Sequence, residues 1–543
     1  MTGRICGMVR IAQFCLNAMP TTSSSDRTDA SRSVSGLACL LLINALLVLP
    51  LWWRDGSALS VWLVPEVLLL PLLAALFSSS LARWLLAVVV CFSLLTLSGN
   101  ALVHDVLGRP LNLLLDPLLL RAGYHFLSGS LGPWVAFAIA LGAIGSVALI
   151  VWALHALISR LERALSPAWC GLLALLALIT LAAGTWLNLD SIARPALIQM
   201  VSAQTNQIAT TLADQRQLIE RASSDQLQAQ AIPALAGRDV VVVFIESYGM
   251  TAWSRTDYRA VIKPLLDAFE GDLDAAGLQV TSTRLRSPIR GGQSWLAHAS
   301  LLSGQRINND FAYDQVLKSG QQFLTNDFAA TGHTPLVVAP AIVRPWPEAE
   351  ALGFKALYPA ATLNYRGPSA GWVGIPDQIT LHRYGQSIRS QHAEPVFSLV
   401  LLISSHAPWL AGPPLLDDWQ LLDQPQPWPS WTPPPRDRLV YLRDRALLRA
   451  RYPQSLAYSL SAALQWAAHK LPPDGVLMLI GDHQPATLIT GPESSNDVPV
   501  HLISFDAHQL ARDDLIPFQP GFQPGTATSQ SGLEDLREWL RRR

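Results

Sequence analysis

Apolar positions fall along this chain in two regimes. Through the first two hundred residues they form long, nearly unbroken Leu/Ala/Val runs. Beyond that they form short β-branched runs separated by amphipathic stretches. Five of the early runs, at 36–53, 59–77, 81–97, 132–158 and 169–186, approach the ~20 apolar helical residues that cross a hydrocarbon core about 30 Å thick. The run at 81–97 is the shortest. A helix buried in a soluble protein usually keeps a polar stripe. Five consecutive runs without one predict five membrane spans.

The later pattern predicts a different architecture. VVVVFI at 240–245 follows Gly237 and is too short for a helix, so 239–245 reads as a buried strand. Runs at 396–403 and 476–480 read the same way. Helical stretches separate them, notably 264–275, with Pro264 at its expected first turn, and 452–471. Apolar strands alternating with helices predict an α/β sheet covered on both faces. Before the first strand, 191–230 is polar with Ile198, Val201, Ile208, Leu212 and Ile219 at irregular helical spacing, which predicts a juxtamembrane helical connector. The Pro- and Trp-rich segment 408–435 reads as an extended surface loop. Its Trp409, Trp419, Trp428 and Trp431 suit either a membrane-interface loop or ordinary packing. The expected division is a cytoplasmic tail at 1–35, a transmembrane domain at 36–187, a connector at 188–237 and a catalytic domain at 238–543.

Charge sharpens this picture. Half of the 543 residues are hydrophobic and only 15% are charged, against a usual globular share of about 25%. The net charge of −1, without any Lys/Arg-rich tract, gives no reason to expect nucleic acid. Arg4, Arg10, Arg27 and Arg32 precede the first span, Arg83 lies in the second loop, and Arg160 and Arg163 lie in the fourth. All fall on one side, whereas Arg54, Arg109 and Arg121 on the other are offset by Asp55, Asp105 and Asp116. The positive-inside bias then places the N-terminus in the cytoplasm. An odd span count exports everything after about residue 187, and one span more or fewer reverses this. No long apolar stretch follows Arg4 and Arg10, so the start does not read as a cleavable signal peptide. All five cysteines (Cys6, Cys15, Cys39, Cys91, Cys170) lie in the tail or the spans. The exported region therefore has no disulfide, thiol nucleophile or thiolate metal site.

The candidate chemistry lies where strands end. The first strand runs into Glu246-Ser247-Tyr248-Gly249, and the run at 476–480 into Gly481-Asp482-His483. Ligands of open α/β sheets bind beyond the carboxyl ends of strands, so both groups point toward one crevice. Glu, Asp and His together make a hard O/N donor set suited to Mn²⁺, Zn²⁺ or Mg²⁺. Singly, such a Glu is commonly a solvated loop residue, and an Asp-His pair is often a turn or helix cap.

Four segments occur in a telling order: VVVVFIESYG, Gly291-Gly292-Gln293-Ser294 leading into WLAHASLLSG, SSHAPW, and LIGDHQP. Together they resemble the sulfatase-like phosphotransferases of the alkaline phosphatase superfamily. That family includes lipoteichoic acid synthase, the phosphoglycerol transferase of periplasmic glucans and the lipid A phosphoethanolamine transferases. The resemblance covers nearly the whole chain. It implies an N-terminal five-helix transmembrane bundle joined to an alkaline phosphatase/sulfatase-like α/β domain, whose mixed, mostly parallel sheet is covered by helices. It also implies that Glu246, Ser294, Asp482 and His483 hold one divalent metal ion, Mn²⁺ first, with Zn²⁺ or Mg²⁺ as alternatives. Ser294 stands where the family has its nucleophile, usually Thr, and a bound ion would stabilise its alkoxide. His406 matches a histidine that contacts the transferred phosphate, suited to stabilising its charge or protonating the leaving group. Trp346, and Trp372 in WVGIPD, fall in segments similar to substrate-contacting ones.

Departures from the family narrow its branches. His298 stands where lipoteichoic acid synthases often carry an acid, and it reads as a structural helix residue. His501, inside VPVHLISF, reads as a strand residue. Tyr458-Ser459-Leu460 replaces an aromatic-plus-Asp pattern, and Pro340 falls near a substrate histidine. Sulfatases carry C/S-x-P-x-R and paired aspartates after the first strand. Here Ser294-Trp295-Leu296-Ala297-His298 lacks both Pro and Arg, and Glu246-Ser247 replaces the aspartates. Lipid A phosphoethanolamine transferases usually carry disulfides in the exported domain, which this domain cannot form. The expected activity is therefore transfer of a phosphoglycerol-type head group from a phospholipid, phosphatidylglycerol first, to an envelope glycan or lipid through a covalent Ser294 intermediate. Phosphoethanolamine transfer, hydrolysis of a phosphate or sulfate ester, and a catalytically silent membrane scaffold are the alternatives.

Overall fold

The computed structural model describes residues 24–55, 61–187, 192–222, 228–369, 374–434, 444–491, 494–512, 515–525 and 530–543. They divide into two compact units, one from 1–102 and 119–207, the other from 103–118 and 208–543.

The first unit is helical. Its elements are α1 (Ser24–Asp55), α2 (Ser80–Leu107, whose last turn belongs to the second unit), α3 (Pro117–Leu131), α4 (Pro133–Ala164), α5 (Pro167–Leu187) and the first half of α6 (Ala196–Ala222). Four stretches, Ser31–Asp55, Ser80–Leu107, Pro133–Ala164 and Pro167–Gly184, are long and apolar enough to cross a membrane. Along α4 the most apolar window is only 6% buried, and Trp134, Leu141, Ile144, Leu149 and Trp152 are exposed. Water would not tolerate such a surface, whereas lipid matches it.

The run at 59–77 departs from the expectation. It forms only a short apolar helix, Pro65–Leu76. Its start is fixed by competing hydrogen bonds. Val64 N–H donates to Asn44 Oδ1 at 2.9 Å and Asn44 Nδ2 donates to the Trp62 carbonyl at 2.8 Å. Trp62 and Leu63 donate to the Ile192 carbonyl. The backbone at 62–64 is thus extended and occupied, and Pro65 opens the helix where its missing N–H costs nothing.

The second unit is built on one eight-stranded sheet in the order β4-β3-β5-β1-β6-β7-β2-β8. The strands are β1 (Val240–Ile245), β2 (Gln279–Arg286), β3 (Thr334–Ala339), β4 (Ala356–Pro359), β5 (Val396–Leu402), β6 (Val476–Gly481), β7 (Asp497–Ser504) and β8 (Gln519–Pro520). The five from β4 to β6 pair in parallel, and β7, β2 and β8 add antiparallel pairs, giving the mixed sheet. Side chains of β1 alternate between two cores: Val241, Val243 and Ile245 enter one, Val240, Val242 and Phe244 the other. A strand buried on both faces explains why its sequence shows no polar alternation.

Helices α7 (Thr256–Ala275) and α10 (Arg445–Lys470) pack on the first face, where Tyr258 meets Tyr452 edge-on at 5.0 Å. Helices α8 (Ser294–Ser303) and α11 (Asp535–Arg541) cover the second, beside α9 (Asp310–Lys318). Both α7 and α10 begin well before the expected starts at Pro264 and Tyr452, and Pro264 and Pro453 are internal. An internal proline costs about 3 kcal/mol. Burial of Tyr258 and Ile262 upstream of Pro264, and of Leu448 and Tyr452 upstream of Pro453, offsets it. α11 is pinned through Asp327, fully buried, which accepts from Arg537 Nε at 2.8 Å and Arg541 Nη2 at 2.9 Å.

The segment expected as a surface loop instead sends its indoles inward. Trp409, Trp419 and Trp428 are buried and Trp431 is partly buried against the same core. Trp419 Nε1 donates to Gln465 Oε1 at 2.9 Å, and Trp428 Nε1 donates to the Pro414 carbonyl at 2.8 Å. With apolar faces in the core and each of these N–H groups satisfied, the rings are packing residues, not a membrane-interface belt.

Candidate functional site

Strand register creates the site. Ile245 of β1 pairs with Leu402 of β5 on one side and with Gly481 of β6 on the other. The three central strands therefore end level, releasing Glu246, the His406 turn and Asp482-His483 at one edge of the sheet. Ser294 comes to the same edge as the first residue of α8.

The side chains converge. Ligand atoms of Glu246, Asp482 and His483 all lie within 4.8 Å of one another, and the three residues are buried. His483 Nε2 is 3.3 Å from Glu246 Oε1 and 3.6 Å from Asp482 Oδ2. Ser294 Oγ donates to Glu246 Oε2 at 3.0 Å and lies 3.3 Å from His483 Nε2. Backbone groups fix the orientation. Asp482 Oδ1 accepts from Ser247 N–H at 2.8 Å and from His483 N–H at 2.6 Å, leaving Oδ2 toward the cluster. His483 Nδ1 donates to the Gln484 carbonyl at 2.8 Å, so Nε2 is the nitrogen that faces the carboxylates.

The electrostatics fit a cation. Burial pushes the Asp482 carboxyl up to about 7, helped by the neighbouring Glu246 charge. Burial also works against ionisation of Glu246. The facing His483 outweighs it, with His406 adding to the effect, and Glu246 stays well below its ordinary range. His483 is disfavoured as a cation by burial, yet Asp482 and Glu246 raise it to about 9. Two carboxylates, an imidazole and a hydroxyl aimed at one point suit a divalent ion. Such an ion would supply Lewis acidity and charge neutralisation at that point.

His406 is half-buried in the turn after β5, with Nδ1 donating to the Ala407 carbonyl at 2.6 Å, and it acts electrostatically on Glu246. His298 lies in α8 against Phe244, with ring centroids 4.4 Å apart, and its packing pushes the imidazole well below its usual range. His501 is buried within β7, bridging Ser282 and Tyr248. Trp346 stands in the loop beyond the carboxyl end of β3, half-buried beside Tyr313. Trp372 lies outside the described residues.

Supporting residues were not visible in the pattern. Ser405 Oγ donates to the Glu246 carbonyl at 2.6 Å, and Ser247 Oγ donates to Glu246 Oε1 at 2.9 Å. Gln484 Oε1 accepts from Thr251 N–H at 3.2 Å. Ser247, Gln293 and Trp409 all have positive φ, at 59°, 66° and 53°. Ser247 and Gln293 directly flank Glu246 and Ser294, Trp409 lies three residues after His406, and such backbone strain in non-glycine residues concentrates at functional sites. Small polar residues next to motif residues were the only sequence signal for these.

No protein-family model matches the sequence, and no curated protein matches it. Solved structures do. The integral membrane lipooligosaccharide phosphoethanolamine transferase A (EptA) of Neisseria meningitidis is similar over 88% of this chain and 89% of its own, at 13% identity and a TM-score of 0.45. The lipoteichoic acid synthase LtaP of Listeria monocytogenes is similar over 50% of this chain, at 12% identity and a TM-score of 0.35. The match covers 66% of that synthase, just under two thirds of its length. The periplasmic domain of EcEptC from Escherichia coli, in complex with Zn, is similar over 52% of this chain and 76% of its own, at 16% identity and a TM-score of 0.34. The solved structures similar to this chain thus include a lipoteichoic acid synthase, a phosphoglycerol transferase and phosphoethanolamine transferases.

Proposed function

We propose that this chain is a membrane-anchored, metal-dependent phosphotransferase that moves a phosphoglycerol-type head group from a phospholipid to an envelope glycan or lipid. The observation that carries the reading is Ser294 Oγ, held 3.0 Å from Glu246 and 3.3 Å from His483 at the mouth of a buried Glu-Asp-His cluster. Glu246, Asp482, His483 and Ser294 would hold the ion. Ser294 Oγ attacks the phosphorus of the lipid diester, its proton passing to solvent, and the bond from phosphorus to the diacylglycerol oxygen breaks. That oxygen leaves with one proton, delivered by His406. The head group stays on Ser294 as a phosphodiester until an acceptor hydroxyl displaces it and restores the serine. Tethering beside four helices long and apolar enough to cross a membrane raises the effective concentration of lipid headgroups, a gain that soluble esters would not share. Trp295, 41% exposed and next to Ser294, offers an apolar surface at the site.

The test incubates purified full-length protein and Mn²⁺ with labelled phosphatidylglycerol or phosphatidylethanolamine. Diacylglycerol release from phosphatidylglycerol and a head-group adduct on Ser294 are expected. Ser294→Ala should lose both, and Ser294→Thr should keep part of the turnover. Release from phosphatidylethanolamine alone would reassign the donor. Release from neither, with brisk turnover of a soluble ester, would overturn the transferase reading.

A further inference from the structure

The nucleophile turn, 290–294, is held by a stretch far away in sequence. Residues 103–118 belong to the same compact unit as the catalytic sheet, and they seat against this turn through two reciprocal glycine contacts. Gly291 has φ +74°, and a β-carbon there would stand 2.0 Å from the Val106 carbonyl oxygen. Gly108 has φ +62°, and a β-carbon there would stand 2.4 Å from Arg290 Cδ. Each glycine thus admits the backbone or side chain that flanks the other, and no larger residue fits either place without displacement.

Other contacts agree. Thr487 Oγ1 donates to the His104 carbonyl at 3.2 Å. Arg445 and Asp105 form an ion pair at 4.0 Å. The stretch is internally stiff, because Asp116 takes a two-point pairing from Arg109 and also accepts from Asn112 N–H. Asn112 Nδ2 donates to Thr211 Oγ1 at 2.9 Å. The turn it meets is anchored from the other side. Arg290 Nε donates to Asn496 Oδ1 at 2.9 Å and Gly291 N–H donates to the Gln484 carbonyl at 2.8 Å, one residue from His483.

We propose that residues 103–118 position the nucleophile, the Val106 carbonyl and Gly108 bracing the 290–292 backbone on which Ser294 is mounted. Its importance for turnover rests on the role of Ser294 given above; its placement does not. The segment supplies no group to the chemistry. It limits where Ser294 Oγ can stand relative to Glu246 and His483. Displacement of a reacting atom by an ångström costs up to ~10²-fold in rate. A catalytic domain cut away from the helices before it would lack this brace while keeping every candidate metal ligand.

The test uses the full-length protein. Asp105→Cys combined with Arg445→Cys, treated with a short bis-maleimide, should join the fragments produced by proteolysis between the two positions. Neither single variant should do so. Linked protein should keep phospholipid turnover within about twofold, as a brace does and a gate that must open does not. Gly108→Ala is compared with Gly320→Ala, where φ is +75° but the space is open, so that backbone strain is matched and only the contact differs. Gly108→Ala should lower kcat by about tenfold or more, with KM and metal content unchanged, and speed hydrogen exchange across 290–294. Gly320→Ala should do neither. Absence of the cross-link, loss of turnover on linking, or equal effects of the two glycine variants would overturn the proposal. Absence of all phospholipid turnover in the unmodified chain would overturn the assigned function instead, and cross-linking and exchange would still judge the placement.

Discussion

His501 is an imidazole sealed in the sheet. Its Nδ1 meets Ser282 Oγ at 2.7 Å and its Nε2 meets the Tyr248 hydroxyl at 2.9 Å. Burial lowers it from 6.5 to about 3, so the folded chain keeps it neutral. An unfolded chain takes up a proton there below about 6.5. Between these values the unfolded state binds more protons, so stability is fully present above about 6.5 and is lost as the pH falls toward 3, by up to about 1.4 kcal/mol per unit. Denaturant unfolding between pH 7 and 5 should show that slope. His501→Gln should reduce the measured slope by that share even if it weakens the fold at pH 7, and an unchanged slope would contradict the assignment. At this scale the motif residues were legible because a buried cluster of acids, an imidazole and a hydroxyl uses side-chain types that packing seldom selects. Glu246, Asp482 and His483 stand together at strand ends, and Ser294 joins them from the start of α8. Ser405 and Ser247 were not legible, because a serine beside a motif looks the same whether or not it braces one.

Secondary structure was legible where one physical cause dominated. The β-branched runs of β1, β5 and β6 carried their own signal, since a strand buried on both faces admits little else. One proline misled. Pro264 argues locally for a helix start, but burial of Tyr258 and Ile262 carries α7 through it, as burial of Leu448 and Tyr452 carries α10 through Pro453. The tryptophans of the segment after β5 likewise gave no local sign of which way they point; only the core they fill decides that. β3 and the antiparallel β2 were also missed, Pro335 in one and the polar alternation of QVTSTRLR in the other masking strands whose partners are distant in sequence. The C-terminal helix α11 shows the same dependence on long-range contact. Its two arginines neutralise Asp327, which also accepts from Gln230 N–H at 2.9 Å, ahead of β1. Removing one partner of a buried ionic cluster leaves uncompensated charge and costs about 3–5 kcal/mol. Asp327→Asn keeps the shape and removes the charge. It should lower the denaturant midpoint of the second unit by that equivalent, whereas an exposed pair such as Lys318–Asp314 should cost under about 1 kcal/mol.

For the whole molecule, the side of the membrane on which the sheet lies depends on parity. Among the described residues, four helices are long and apolar enough to cross. Four crossings from a cytoplasmic N-terminus would return the second unit to the cytoplasm. The short helix Pro65–Leu76 decides the count, and hydrophobic length alone does not settle it, since a short segment can be matched by local thinning of the bilayer. Charge distribution gives the independent constraint. Arg83 at the start of α2 pairs with Glu162 at 2.8 Å near the end of α4, which carries Arg160 and Arg163, and Gly36 near the start of the first span faces Leu165 just after that end. If Pro65–Leu76 crosses, all of these basic residues share the cytoplasmic side, and residues 103–118 share the outer side with the catalytic unit they pack against. If it does not, the loop after α2 falls on the cytoplasmic side together with the catalytic unit, while the arginines around α2 and α4 fall outside against the positive-inside bias. The five-crossing arrangement is therefore our proposal. A reporter active only outside the cytoplasm should work when fused after Pro233, and one active only inside should work when fused after Phe77. Cytoplasmic activity from the Pro233 fusion would place the site away from the outer leaflet and remove the physical basis for an envelope acceptor.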